Sequence, residues 1–556
     1  MNATLAVKKA PIIWLLGFLL LYGSLVLPRI FMESPTNDEP VEITNGCFYW
    51  QGDVVSHNHH PPLPKLLQTL PLKFLSLNNQ VGPLTPDYLA RAYQFFFILN
   101  HDRFELMTRL ARCVTLLMGM GIGCLLFFLT RPGPRPVTLA AMVLWVFEPN
   151  LQAFSGLAMA DVPVTFFFLA AVLAFQRHLE NPGLKSAVYA GALAGMAVTC
   201  KFSALVLIPA FFILEWLKPR KEKKLLLILS RNAIDWAGGA AAFLAWIFIL
   251  YLPGTLLLTG HQTPWSYFLK GLVNMMDYSN AHHPSFFMGK AGRQDHWLYY
   301  PAAFFLKSGV PFLILVFLGI FWGIQKKMEL SAWIWLPALL GFADILPVQN
   351  LGVRYLLPIY PFLILTAAFA AGIIWKEKFE AGKNLGKILV LGLVLWQTVS
   401  VLTNYPGMIS YFNDFIPVDR KIHFLGDSNL DLSQDLGRLA ETARHKGWKK
   451  VKLAQYGVMD PSLYGMEWEP WTENDLKGPQ PGWVYAVNAS FLQLAPVFYP
   501  DLIPIASSWI ASLPPTGRIG ESWFYFEIPG EPQADTSRIL PSVQTLKNHA
   551  PQNNPN

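Results

Sequence analysis

Apolar stretches long enough to cross a bilayer recur along the first four hundred residues, and this recurrence limits the fold more than any single motif does. A helical crossing needs roughly twenty apolar residues, and inside lipid only helices or closed barrels satisfy their own backbone. Such stretches fall at residues 11–31, 105–130, 137–148, 162–178, 186–200, 203–217, 233–255, 300–323, 331–347, 355–375 and 385–403. Only 14% of the 556 residues are charged and 53% are hydrophobic, whereas soluble domains carry about a quarter charged residues. The chain therefore reads as an α-helical polytopic membrane protein with about eleven transmembrane helices.

Charge sets the expected orientation. Lys8 and Lys9 precede the first stretch, and Pro28-Arg29 follows its core where a cleaved leader would carry small residues, so it reads as an uncleaved anchor with a cytoplasmic N-terminus. Alternation then puts the loops holding Arg131 and Arg135, Lys185, Lys218 to Lys224, Lys326 and Lys327, and Lys376 to Lys387 on the cytoplasmic side. The positive-inside rule accounts for the net charge of +7, so nucleic-acid binding is excluded as a reading. The loops 32–104, 149–161, 256–299 and 348–354, and everything after about 404, fall on the outer side. Cys47, Cys113, Cys124 and Cys200 are too scattered for a disulfide framework or a CxxC site.

Three units follow: a transmembrane domain over 1–403 with its first outer loop at 32–104, an outer α/β domain over 404–530, and a polar, disordered tail over 531–556. In the outer domain, 422–426, 451–456, 484–488 and 524–528 read as strands. Ser428 to Lys446 reads as a helix with Ser428 and Asp431 in capping-box positions. Within the membrane domain, 186–200 and 203–217 meet at Cys200-Lys201-Phe202 with too few residues for two crossings, which points to a broken helix lining a cavity. Leu63 to Leu75 is apolar enough to lie in the membrane interface as the lip of such a cleft.

The residues that suggest chemistry cluster on the outer side. Asp38 and Glu39 sit within about ten residues of the first span, and paired carboxylates at a low-dielectric boundary are candidates for a general base. Asp161 begins a later span, as a helix cap or a functional carboxylate; Glu148, before it, reads as a cap. Arg112, Lys201 and Arg354 lie near the outer interface between apolar runs, where a cation either holds a membrane-embedded phosphate or snorkels to lipid headgroups. For Lys307 the snorkelling reading is favoured. His57, His59 and His60, with His282, His283 and His296 from another outer loop, suit a phosphate or sugar, or a divalent metal with His57 and His59 among its ligands. Trp265, Tyr267, Trp297, Tyr299 and Tyr300 suit a sugar or an interfacial aromatic belt.

Asp38-Glu39 followed by His60-Pro61-Pro62-Leu63 and Lys65-Leu66-Leu67 resembles the first-loop signature of the protein O-mannosyltransferase family and its bacterial relatives, the lipid A aminoarabinose transferases among them. Arg112-Cys113-Val114-Thr115 with Gly119, Asp161-Val162-Pro163, the stretch from Gly195 to Lys201 and Arg354-Tyr355-Leu356-Leu357-Pro358 resemble further landmarks in the same order. Tyr411-Phe412-Asn413 and the run from Asp427 to Leu436 resemble the outer domain of a bacterial subgroup. There an aromatic and a glycine commonly stand at the places of Leu432 and Ser433.

The resemblance implies a GT-C fold, a polyprenyl-phosphate-linked sugar donor, and a protein or lipid acceptor, in the bacterial inner (plasma) membrane. It implies an inverting transfer with Asp38 as base, Glu39 and Asp161 orienting, Arg112, Lys201 and Arg354 on the phosphate, and His59 and His60 as auxiliary ligands. No cofactor is required by that scheme, although a divalent metal stays open. A lipid or sugar transporter is the rival reading, since transporters also use broken helices and buried charges. The topology makes a direct prediction: a reporter fused between Gln397 and Pro406 is expected to be active outside the cytoplasm, and cytoplasmic activity there would overturn the orientation.

Overall fold

The computed structural model describes residues 10–51, 60–80, 88–218, 233–256, 263–325, 331–346, 349–377, 384–500 and 508–530. His57, His59, the tail 531–556 and the basic residues Arg220, Lys221, Lys223, Lys224, Lys326 and Lys327 lie outside the described residues.

Helix occupies each apolar window, but full crossing length is rarer than the windows suggest. Among the described residues, six helices are long and apolar enough to cross a membrane: Ile12–Met32, Phe104–Thr130, Asp161–Glu180, Ala233–Pro253, Val353–Lys376 and Leu385–Asn404. Two more segments are bent pairs, Arg135–Val146 with Pro149–Ser155 at 54° and Tyr299–Lys307 with Val310–Ile324 at 118°, giving up to eight spans. The first bend follows from Pro149, which holds Glu148 in extended backbone. The Glu148 side chain then accepts from the Leu151 amide and caps the next helix. Leu184–Val198, Phe202–Leu217 and Ala332–Ile345 are shorter apolar helices. Fifteen residues rise only about 22 Å, less than the hydrocarbon thickness.

The broken pair expected near Lys201 is present. Helix Leu184–Val198 stops, Lys201 is extended (φ −157°, ψ 134°), and a 3-10 turn Phe202–Val206 leads into Leu207–Leu217. Small residues hold the first of these against Ala233–Leu256: a side chain at Gly191 would overlap the backbone of Gly239.

Four expectations change. Leu63–Thr69 is a helix, but six of its seven residues are buried, so it is packed into the protein instead of lying on lipid. Gln68 anchors it to Thr115 Oγ1 (2.9 Å) and the Met159 carbonyl (2.8 Å). Only the following turn, with Leu70 and Phe74, is exposed. Lys307 does not snorkel: it is 1% exposed and donates to the carbonyls of Ile409 (2.8 Å) and Asn429 (2.6 Å). The segment 422–426 is not a strand either: Ile422 and His423 close the 3-10 turn Val418–His423, and among the described residues the only strand-type pairing is the isolated Phe287–Leu425 bridge.

The C-terminal unit contains a five-stranded sheet in the order Glu469–Pro470, Val451–Ala454, Val484–Asn488, Trp523–Glu527, Gly517–Ile519. The first three strands run parallel and the last two antiparallel to their neighbours. Val451 stands opposite Val484, and Tyr485 opposite Phe526. The helix beside it starts at Leu436, not Ser428. Leu436, Leu439, Ala440 and Ala443 form its buried stripe, and Gly447 (φ +66°) ends it in the left-handed conformation. Residues 427–435 stay out of the helix because their backbone is spent on the first outer loop: the amides of Ser34 and Asn37 donate to the carbonyls of Gln434 and Leu432. Positive φ at Asp427 (54°) and Ser433 (71°) fits that path.

Candidate active site

The loop after the first span is fixed to the membrane helices through a buried ion pair. Glu39 begins the helix Glu39–Tyr49, with Pro40 at a position where no backbone donor is needed. Its carboxylate accepts from Arg112 Nε (2.7 Å) and Nη2 (2.6 Å), and from the amides of Thr36 (2.8 Å) and Ala158 (2.7 Å). Both side chains are fully buried. Burial alone would raise the Glu39 carboxyl, but the charge and hydrogen bonds of Arg112 carry it below its ordinary value. The remaining Arg112 donors reach the carbonyls of Ile30, Glu33 and Ser34. All of the guanidinium is therefore engaged, and neither partner has an atom to offer a substrate. That differs from the expectation that Arg112 holds a phosphate and Glu39 orients an acceptor.

Asp38, one residue earlier, faces an open cavity of about 400 Å³. Its Oδ2 lies 2.8 Å from Arg354 Nη1, and the Asp38 side chain is 45% exposed against 12% for Arg354. Asp161 and Lys201 form a second pair on the same cavity, Nζ to Oδ1 at 2.8 Å. Asp161 is the first residue of its helix, one past the N-cap Ala160, and Lys201 also stands 3.6 Å over the Tyr355 ring. His60 lines the cavity beside them, and so does His283 from the second outer loop. Thus Asp38, Asp161, Lys201, Arg354 and His60 come together, whereas His57 and His59 lie outside the described residues. His282 instead pairs with Asp295 at 3.1 Å on the surface, and His296 sits against Phe287. Among the described residues no group of three or more His, Cys, Asp or Glu side chains could hold a metal. Of the aromatic loop, Tyr299 and Tyr300 are buried and Trp297 is 73% exposed.

The C-terminal unit supplies a wall that sequence reasoning did not assign to the site. Asp427, Asp431, Tyr456 and Ser490 line the cavity opposite the helices. Burial raises the Asp427 carboxyl, with Arg354 working against that rise. It pushes Asp431 up to about 6, although Asp431 accepts from the Ser433 and Ser490 amides. Glu42 was missed too; it lies one turn past Asp38, lines the cavity and stands 3.6 Å from Lys65 Nζ. The polar run Asp427-Ser428-Asn429 and the four-residue spacing of Asp38 and Glu42 are the signals that could have found them.

That wall also locates Arg354. Asn429, fully buried, accepts from the Val353 amide (2.9 Å) and donates to Tyr299 Oη (2.8 Å). Ser428 Oγ donates to the Leu351 carbonyl. Between those contacts Gly352 has φ +117°, and a side chain there would collide with Ser428 Oγ.

Residues 38–260, less than half of the chain, match the family model described as dolichyl-phosphate-mannose-protein mannosyltransferase. The protein is a multi-pass membrane protein, and the match to this model favours a glycosyltransferase over the transporter reading. Solved structures similar to it include ArnT from Cupriavidus metallidurans bound to undecaprenyl phosphate, at 12% identity and TM-score 0.44, covering 93% of this chain and 98% of that one. Another is the oligosaccharyltransferase AglB from Archaeoglobus fulgidus, in complex with an inhibitory peptide and a dolichol-phosphate, at 10% identity and TM-score 0.42, covering 87% and 71%. Comparison with curated proteins finds no match.

Two predictions follow from this geometry. Glu39→Gln leaves the Arg112 charge buried and unbalanced, which should cost about 3–5 kcal/mol and appear as a lower unfolding temperature in detergent. Gly352→Ala should lower both the unfolding temperature and sugar transfer, because it forces the Arg354 turn away from Ser428. An unchanged unfolding temperature would contradict either assignment.

Proposed function

We propose that the protein transfers a sugar from a polyprenyl-phosphate-linked donor to a hydroxyl of a protein or lipid acceptor on the outer face of the membrane, with inversion. The observation that carries this reading is one cavity in which a solvent-accessible carboxylate, Asp38, stands beside two cations, Arg354 and Lys201, at the ends of membrane helices. A polyprenyl phosphate leaves readily once its charge is balanced, so catalysis needs cations at the phosphate and a base at the acceptor. The match of residues 38–260 to a family named for a dolichyl-phosphate-linked donor supports the same class of donor.

In this reading the donor phosphate takes Arg354 and Lys201 as counter-charges, releasing Asp38 from the Arg354 pair. Asp38 then accepts the proton of the acceptor hydroxyl as the new bond to the sugar's anomeric carbon forms. The bond from that carbon to the phosphate oxygen breaks, and its electron pair leaves with the polyprenyl phosphate. Asp161 positions Lys201, and His60 donates a hydrogen bond to phosphate or sugar. Asp427 and Asp431, from the opposite wall, accept hydrogen bonds from acceptor or sugar hydroxyls. Glu39 and Arg112 hold the loop that carries Asp38. The site faces the outside of the inner membrane of a bacterial cell, and a divalent metal is not part of the scheme.

The test is the Asp38→Asn variant, purified and supplied with a lipid-linked sugar donor. Loss of a general base should lower the transfer rate by about 100-fold or more while leaving the unfolding temperature near that of the wild type. Transfer at the wild-type rate would remove Asp38 from the base role.

A further inference from the structure

Asn37, immediately before Asp38, is fixed by the C-terminal unit. Its side-chain oxygen Oδ1 accepts from Ser433 Oγ at 2.9 Å and from the Val458 amide at 3.3 Å, and its own backbone amide donates to the Leu432 carbonyl at 3.1 Å. A backbone N–H can only donate, so the Val458 contact decides which end of the carboxamide is oxygen and which is nitrogen. Gly457 leaves room for this arrangement: a side chain there would come within 2.7 Å of Ser433 Oγ and 3.2 Å of Asn37 Oδ1. The two neighbours thus take different partners, Asp38 the Arg354 guanidinium and Asn37 the C-terminal wall, while both line the same cavity.

Ser433 reaches Asn37 from φ +71°, a left-handed backbone conformation that glycine adopts freely and serine does not. Strain of this kind persists only where the surroundings impose it, and it clusters at working sites. Ser433 is buried, and its hydroxyl is spent on Asn37. The consequence falls on the other end of the carboxamide. Asn37 Nδ2 makes no hydrogen bond within the described residues and is not closed off from solvent, and the cavity that Asn37 lines is the one holding Asp38.

We infer that Asn37 is a substrate-binding residue whose Nδ2 donates a hydrogen bond to an uncharged oxygen of the acceptor molecule, with Ser433 as the positioning residue that aims it. This role rests on the sugar-transfer reading and deepens it. A neutral amide adds nothing to the charge that Arg354 and Lys201 offer a phosphate. It suits the lone pairs of a hydroxyl or carbonyl oxygen close to the hydroxyl that gives its proton to Asp38.

The test uses the full-length protein and the cell's own substrates. Variants are returned to a deletion strain, mass spectrometry quantifies the envelope product that the strain lacks, and the unfolding temperature of each purified variant is measured in detergent. Asn37→Asp keeps the oxygen held by Val458 and Ser433 but turns the donor into an acceptor; product should fall about tenfold or more with the unfolding temperature unchanged. Ser433→Gly accommodates the left-handed backbone and loses only the hydroxyl, so product should fall about fivefold without loss of unfolding temperature. Asn37→Leu adds no charge and removes both the Ser433 contact and the donor; its product should lie about fivefold or more below that of Ser433→Gly. Wild-type product from Asn37→Asp, or equal product from Asn37→Leu and Ser433→Gly, would overturn the assignment. Asp38→Asn at the wild-type level, with these differences intact, would remove the base and leave Asn37 in its role. An envelope identical in the wild-type and deletion strains would overturn sugar transfer and the role of Asn37 with it.

Discussion

The bidentate pair between Arg112 and Glu39 is the interaction on which the rest of the site depends. It gathers four separate segments in one hydrogen-bonded node: the end of the first span through the carbonyls of Ile30, Glu33 and Ser34, the first outer loop through Thr36 and Glu39, the span Phe104–Thr130 through Arg112, and the turn before Asp161 through the Ala158 amide. A buried ion pair rarely adds much net stability, because desolvation offsets attraction. Its value here is placement. Asp38 follows directly from the position of Glu39, and Met159 to Asp161 from that of Ala158, so one node sets two walls of the cavity. Arg29 does a similar task one turn lower, joining the first span to the Gln152 and Pro406 carbonyls.

The C-terminal unit is bonded directly to the helical body. The buried Lys307 ties the Ile409 and Asn429 carbonyls to the bent helix pair, Asn429 fixes the amide of Val353, and Ser433 Oγ bonds Asn37 Oδ1 beside Asp38 (2.9 Å). Arg354 and Asp38 are each held from the C-terminal side as well as from their own helices. A site assembled this way loses its cation and its carboxylate geometry together if the outer unit detaches.

How far this could be read in the sequence follows from the physics of each signal. Membrane helices are dictated by composition, so every apolar window holds a helix; bends such as the 118° turn at Ser308-Gly309 arise from tertiary packing and leave only Pro311 as a trace. Asp38, Asp161, Lys201 and Arg354 were legible because a charge flanked by apolar runs is expensive wherever it lies. Their pairing was not, since Asp38 and Arg354 are separated by most of the chain. Arg112 and Lys307 illustrate the limit of the same argument: burial marks an ionisable group as important, but only its partners say whether it binds a ligand or holds the backbone. The run from Ser428 to Asp435 was misread as helix because its local pattern permits one, and long-range bonds to Ser34 and Asn37 override it.

The arrangement of charge in the cavity carries one further consequence. Each cation facing the open space already has a carboxylate, Arg354 with Asp38 and Lys201 with Asp161. The cavity is thus neutralised within the protein and avoids an isolated charge at the membrane boundary, where desolvation would be severe; under the proposed function, an arriving phosphate competes with those carboxylates. The competition is unequal. Asp161 is nearly enclosed at 5% exposure, while Asp38 is 45% exposed and can turn toward solvent at little cost once its partner is taken. Donor binding would thus free Asp38 while leaving Lys201 anchored. Asp427, on the opposite wall, is close enough to Arg354 for the two charges to act on each other.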